Sequence, residues 1–284
     1  MKKLRDNKLH YKALAITFIW IFCFLMLVLS YIMDKVKFTY IGGGIILAGV
    51  FAVIFVNGGK LVSSEYKFMK RIKEYQKDKG QTDEYGAMLR EHLNNMKINS
   101  NNERYANDYR LDLAEYYNLK GDCQNALKYL SQVNRKQLFD HHSSWILEMR
   151  IARYYLILLD IYSYLDDNKS VENVYKDAIE NLDTSMGMNW ALDVYIYMIH
   201  SEYYLFIKNI DESLENLDRA MSMLRENGVK CVFFDYLHKV EIYKKTGDYE
   251  KAISYYDKLK NLEKNDAEKV IFGYFRDRME DDLI

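Results

Sequence analysis

Proline is missing from all 284 residues. With the strongest helix breaker absent, no segment carries that interruption, and an all-α fold is the expected class. Glycine is scarce at 13 residues, and several of these sit at apparent boundaries between segments. Cysteine is scarcer still. Cys23, Cys123 and Cys231 are odd in number and scattered, which excludes a disulfide framework or a metal-ligand spacing and fits a reducing compartment. They read as small buried apolar residues. The net charge is close to zero, at −1, but unevenly spread: residues 1–79 hold 14 Lys/Arg against 5 Asp/Glu, leaving the remainder at −10. An acidic body argues against nucleic acid as a partner, whereas a basic collar suits the anionic inner leaflet of a bilayer.

What is present begins with two long apolar runs. Residues 13–33 read ALAITFIWIFCFLMLVLSYIM and residues 38–57 read FTYIGGGIILAGVFAVIFVN, both without a charge. A helix of about 20 residues covers roughly 30 Å, enough to cross a bilayer core. Only Asp34 to Lys37 separate the runs, so the expected structure is an antiparallel transmembrane hairpin over 13–57. Lys2, Lys3, Arg5, Lys8 and Lys12 precede it, Lys60, Lys67, Lys70, Arg71, Lys73, Lys77 and Lys79 follow it, and only Lys35 and Lys37 occupy the turn. The positive-inside rule then places both termini, with the basic segment 1–12, in the cytoplasm, and the chain in the cell membrane. A cleaved signal peptide is disfavoured because the first run is too long and lacks a small-residue cleavage pattern. Gly44, Ala48 and Ala52 form a stripe that admits close approach of another helix, from the same chain or from a second copy.

Beyond the collar the pattern is helical, and it repeats. LAEYYNLKGDCQNALKYLSQV from Leu113, LLDIYSYLDDNKSVENVYKDA from Leu158, HSEYYLFIKNIDESLENLDRA from His200 and KVEIYKKTGDYEKAISYYDKL from Lys239 align without gaps. Each has tyrosine at its fifth position: Tyr117, Tyr162, Tyr204 and Tyr243. A small or short residue follows nine positions later (Ala126, Val171, Ser213, Ala252), then a large one (Leu130, Tyr175, Leu217, Tyr256) and a closing one (Val133, Ala178, Ala220, Leu259). Turn residues fall between them at Gly121-Asp122, Asp166-Asp167, Asn209 and Gly247-Asp248. The intervals are 45, 42 and 39 residues, so each copy is one helical hairpin, with the small residue allowing close approach of the second helix.

GDYEKAISYYDKL and GDCQNALKYL resemble the turn and second helix of a tetratricopeptide repeat, and Tyr117 and Tyr243 fall where that family places a first-helix aromatic. The resemblance spans about 105–262. It implies an α-solenoid of four to five hairpins, with a worn repeat within 58–104 near Gly80 and Leu89 and a capping helix over 263–284. The copies are longer than the family's 34 residues and lack its helix-ending proline.

The resemblance also implies a partner-binding concave face lined by first helices. It collects Leu111, Glu115 and Asn118 with Asp108 from the first copy, and Arg153, Leu156, Asp160 and Ser163 from the second. The third contributes Tyr195, Met198, Glu202 and Leu205, the fourth Phe234, Leu237, Glu241 and Lys244. Glu115, Asp160, Glu202 and Glu241 make an acidic row, beside an apolar row of Leu111, Leu156, Met198 and Leu237. A row of carboxylates favours cations, so a basic and apolar peptide or protein segment is the expected occupant; a merely solvated helix face is the competing reading.

Other constellations carry less. His141 and His142 are adjacent and poor co-ligands, and His200 and His238 lack a third ligand. The Gly42-Gly43-Gly44 run lies in an apolar span, where a phosphate loop has no place. No metal, cofactor or catalytic motif is recognisable, so the expectation is no enzyme but a membrane-anchored adaptor or scaffold, with a peptide-responsive regulator or a fixed subunit of a membrane complex as alternatives.

Overall fold

The computed structural model describes residues 64–283 apart from 101, 140–144, 183–184 and 188. Both apolar runs, with Gly44, Ala48 and Ala52, lie outside the described residues, as do His141 and His142. Among the described residues no helix is long and apolar enough to cross a membrane. Two units are distinguished, Met1–Phe68 and Met69–Ile284; the fold below is that of the second.

Twelve helices and no strand occur among the described residues. Helix α1 covers residues 64–79, and α2 follows over Asp83–Asn95. Four hairpins come next: α3 (Glu103–Leu119) with α4 (Cys123–Ser131), α6 (Trp145–Tyr164) with α7 (Asn168–Leu182), α8 (Trp190–Phe206) with α9 (Ile210–Glu226), and α10 (Val232–Lys245) with α11 (Tyr249–Asn261). The short α5 (Arg135–Phe139) sits between the first two hairpins, which accounts for the long first interval. Helix α12 (Asp266–Leu283) ends the series. The arrangement is repeat-like and compatible with a helical solenoid.

The four copies share one turn. Gly121, Asp166, Lys208 and Gly247 all have positive φ, at 75°, 52°, 60° and 78°. In each copy the next residue donates its N–H to the carbonyl of the repeated tyrosine: Asp122 to Tyr117, Asp167 to Tyr162, Asn209 to Tyr204 and Asp248 to Tyr243, at 2.8–3.0 Å. The left-handed residue itself donates one position further on, to Asn118, Ser163, Leu205 and Lys244. This pair of bonds satisfies carbonyls that the helix end leaves open. Asp122, Asp167 and Asp248 then accept from the backbone N–H three residues ahead and so cap the second helix. The chain thus reverses within two residues, and the helices on either side have no choice but to pack.

They do so through the small positions. Ala126, Val171, Ser213 and Ala252 are fully buried, as are Leu217 and the closing residues Ala178, Ala220 and Leu259. Ser213, the polar member, is satisfied by reciprocal bonds with Ser201: each hydroxyl donates to the other's carbonyl at 2.9 Å. Two of the repeated tyrosines stack on second-helix rings at equivalent places, Tyr117 on Tyr129 and Tyr243 on Tyr255, both with centroids 5.6 Å apart. Cys123 and Cys231 are buried free thiols, in keeping with their reading as small apolar residues.

Helix α12 packs its Phe275 among Phe233, Leu237, Val240 and Leu259 of the fourth hairpin. It also returns to the start of the series. The Tyr274 hydroxyl donates to the Gln81 carbonyl at 3.2 Å, and a Cβ placed on Gly80 would stand 2.9 Å from the Ala267 Cα. The expected capping helix therefore does more than cover one end: it ties the last hairpin to the first turn.

Candidate functional site

A cavity of roughly 490 Å³ is lined by residues from all four first helices, from α1 and its turn, and from α12. Glu115 and Asn118 come from α3, Arg153, Leu156 and Asp160 from α6, Tyr195, Met198 and Glu202 from α8, and Phe234, Leu237 and Glu241 from α10. These stand where the repeat register places them, three or four residues apart on each helix. Leu111 is the exception. It lies fully buried in the hydrophobic core, in one cluster with Ala126 and Leu130 of α4 and Ala152, Tyr155 and Leu159 of α6. Asp108, on the same face, is taken by Arg150 at 2.6 Å.

The acidic row is assembled, yet each member has an internal partner. Arg153 reaches both Glu115 and Asp112, the latter at 2.7 Å, and Gln81 Nε2 donates to Glu115 at 3.2 Å. Asn118 Nδ2 donates to Asp160. Lys245 bonds Glu202 at 3.2 Å and the Ser163 hydroxyl at 3.0 Å. His238 Nδ1 lies 3.5 Å from Glu241. His200, by contrast, bonds the Tyr175 hydroxyl on another face, so the two histidines belong to separate places.

Charge states follow from these contacts. Burial, with Glu202 and Glu241 nearby, pushes Asp160 up to about 6, against the opposing pull of Lys245 and Asn118. Burial would also raise Glu241, but the bond and charge of His238 hold it below the usual carboxylate range. His238 is in turn raised, Glu241 outweighing burial. For Arg153, burial is outweighed by Glu115 and Asp112, so it stays charged.

The repeat register alone does not bring α1 and α12, both expected as helical segments, to this cavity. Lys73, Gln76 and Lys77 line the cavity from α1, Gly80 and Gln81 from the turn, and Ala267, Ile271, Phe275 and Arg278 from α12. Ala267, Ile271 and Phe275 are spaced four residues apart as one apolar helical face, and that was the available signal. Two polar groups at this edge lack partners: Gln81 Oε1, on a side chain only 3% exposed, and Arg278 Nε. No family model matches the chain, and no match is found among curated proteins or solved structures.

Proposed function

We propose that this chain is a membrane-anchored, tetratricopeptide-like interaction module on the cytoplasmic face, which receives a peptide or protein segment in its concave cavity. The anchor rests on the two uncharged runs at 13–33 and 38–57, and the orientation on the lysines and arginines that flank them. The observation that carries the binding reading is the cavity itself. Its volume falls within the range of about 300–1,000 Å³ common to ligand pockets, and four helices contribute to it in equivalent register. Tethering at a surface raises effective concentration, so a modest affinity suffices.

A photo-crosslinking residue at Met198 in the full-length chain, in intact membranes, tests the binding reading. A defined adduct identified by mass spectrometry, absent when the probe replaces exposed Lys176, is the expected result. Equal adducts at both positions would remove it. Alkaline extraction of membranes tests the anchor: the chain should stay with the lipid pellet. A second reading, a sensor that responds to a small peptide, is favoured by one feature. Helix α12 lines the cavity and also holds the fourth hairpin to the first turn, so a guest would touch the helix that makes that tie.

A further inference from the structure

A row of four carboxylates suggests a cationic ligand, but availability decides recognition, and none of the four is unpartnered. Glu115 is held by Arg153 and Gln81, Asp160 by Asn118, Glu202 by Lys245 and Glu241 by His238. A ligand cation entering here would have to displace a partner the protein already supplies. Among the described residues the unpaired charges of the lining are instead positive. Lys73 and Lys77 stand exposed at the edge; Arg278 makes no salt bridge among the described residues, although its charge, after that of His238, helps to hold Glu241 ionised. The Arg278 methylene stem runs past Gly121, whose Cβ would lie 3.4 Å from the Arg278 Cδ, and its Nε is shielded from water without a bond. A shielded guanidinium N–H without an acceptor is costly unless something fills the place.

Gln81 adds an independent requirement. Its Nε2 is fixed toward the Glu115 carboxylate, which only accepts, so Oε1 is the atom left over. A buried amide oxygen without a donor asks for an N–H. Apolar wall is supplied by Leu156, Met198, Phe234 and Leu237.

We infer that the cavity selects an apolar peptide segment bearing a carboxylate, with the carboxylate on Arg278 and a backbone N–H donated to Gln81 Oε1. This rests on the reading of the cavity as a peptide site. The test uses the full-length chain in lipid nanodiscs and three pools of N-acetylated, C-amidated hexapeptides. Each pool is made of Leu, Met, Phe and Ala with one fixed residue: Glu, Gln or Lys. Fluorescence-polarisation titration should rank Glu over Gln over Lys, with roughly tenfold between Glu and Gln, as a charge-assisted bond supplies. Arg278→Gln should erase that preference while Gln-pool binding survives, which also shows that the variant is folded. If Arg278→Gln loses all binding, Arg278→Lys decides: a kept Glu preference supports the assignment and a lost one overturns it. A Lys preference, or a Glu preference that persists in Arg278→Gln, overturns the assignment and leaves the peptide site standing. Binding of no pool brings down the peptide reading itself, and the assignment with it.

Discussion

The shared turn offers an internally controlled perturbation. The same left-handed position is glycine in two hairpins, Gly121 and Gly247, and a side-chain-bearing residue in the other two, Asp166 and Lys208. A left-handed conformation costs an L-residue about 1–2 kcal/mol, whereas glycine loses roughly 0.5–1 kcal/mol more backbone entropy on folding. Lys208 is exposed and its side chain makes no bond that would be forfeited. Lys208→Gly should therefore stabilise by about 0.5–1 kcal/mol, the difference between those two terms. Gly247→Ala should cost about as much, since no atom lies within 4 Å of its Cβ position and the effect is purely conformational. In a body of this size about 1 kcal/mol moves the melting midpoint by roughly 2–4 °C. Circular dichroism at the helical band, on the full-length chain in mild detergent, should show Lys208→Gly melting about 1–4 °C higher and Gly247→Ala lower by a similar amount. A lower midpoint for Lys208→Gly, or an unchanged one for Gly247→Ala, would refute the equivalence of the turns on which the repeat description stands.

Four further outcomes follow from particular contacts. Arg153→Met strands Asp112 and Glu115 in a partly buried setting and should cost about 3–5 kcal/mol, read as a fall in the same melting midpoint. Asp160 has its folded value raised to about 6 from an ordinary 3.8, so its contribution is fully present below pH 3.8 and lost as pH rises through 6. Asp160→Asn should therefore melt higher than the natural chain at pH 7.5, with the gain shrinking toward pH 4.5; a gain independent of pH counts against the burial argument. Gly86 lies in the interior of α2, where alanine ordinarily helps, yet its Cβ would stand 2.5 Å from the Tyr116 ring; Gly86→Ala should destabilise by about 1–3 kcal/mol through overpacking. Gly80→Ala, strained by a φ of +77° and pressed on the Ala267 backbone, should open the α12 seam: hydrogen exchange in α12 should quicken while α8 and α9 stay protected. Uniform loss across all helices would contradict a local role.

Much of this architecture was legible because it is local. A repeated tyrosine, a turn four to five residues later and a small residue nine positions on are fixed by helix geometry alone, and they located all four reversals, even where Asp166 and Lys208 give no glycine signal. The inward register followed from the same spacing, which is why Glu115, Asp160, Glu202 and Glu241 share one cavity. What depends on distant chain was not legible. Leu111 occupies the inward phase of α3 but is buried in the core that α3 builds with α4 and α6. Nothing in the composition of residues 263–284 says that α12 reaches Gln81, a contact across 193 positions.

Position and availability of a charge are therefore separate properties. A carboxylate two residues before the turn tyrosine must face inward, since that is a matter of helical phase. Whether it is free depends on which cation the tertiary fold brings beside it. Glu115 meets Arg153 across 38 positions, and Lys245, the partner of Glu202, reaches Ser163 across 82. Leaving four carboxylates unpaired in a cavity of low polarity would be far costlier than holding them in internal pairs, so a closed concave face tends to consume its own row of acids. An open solenoid has no such pressure, because water solvates the row. In the proposed peptide site, it is this internal pairing that turns the expected preference from a cation to a carboxylate. Once Arg153, Lys245 and His238 are committed to the acids, the cations outside those salt bridges are Lys73 and Lys77 on α1 and Arg278 on α12, the last felt by Glu241 behind its closer partner His238.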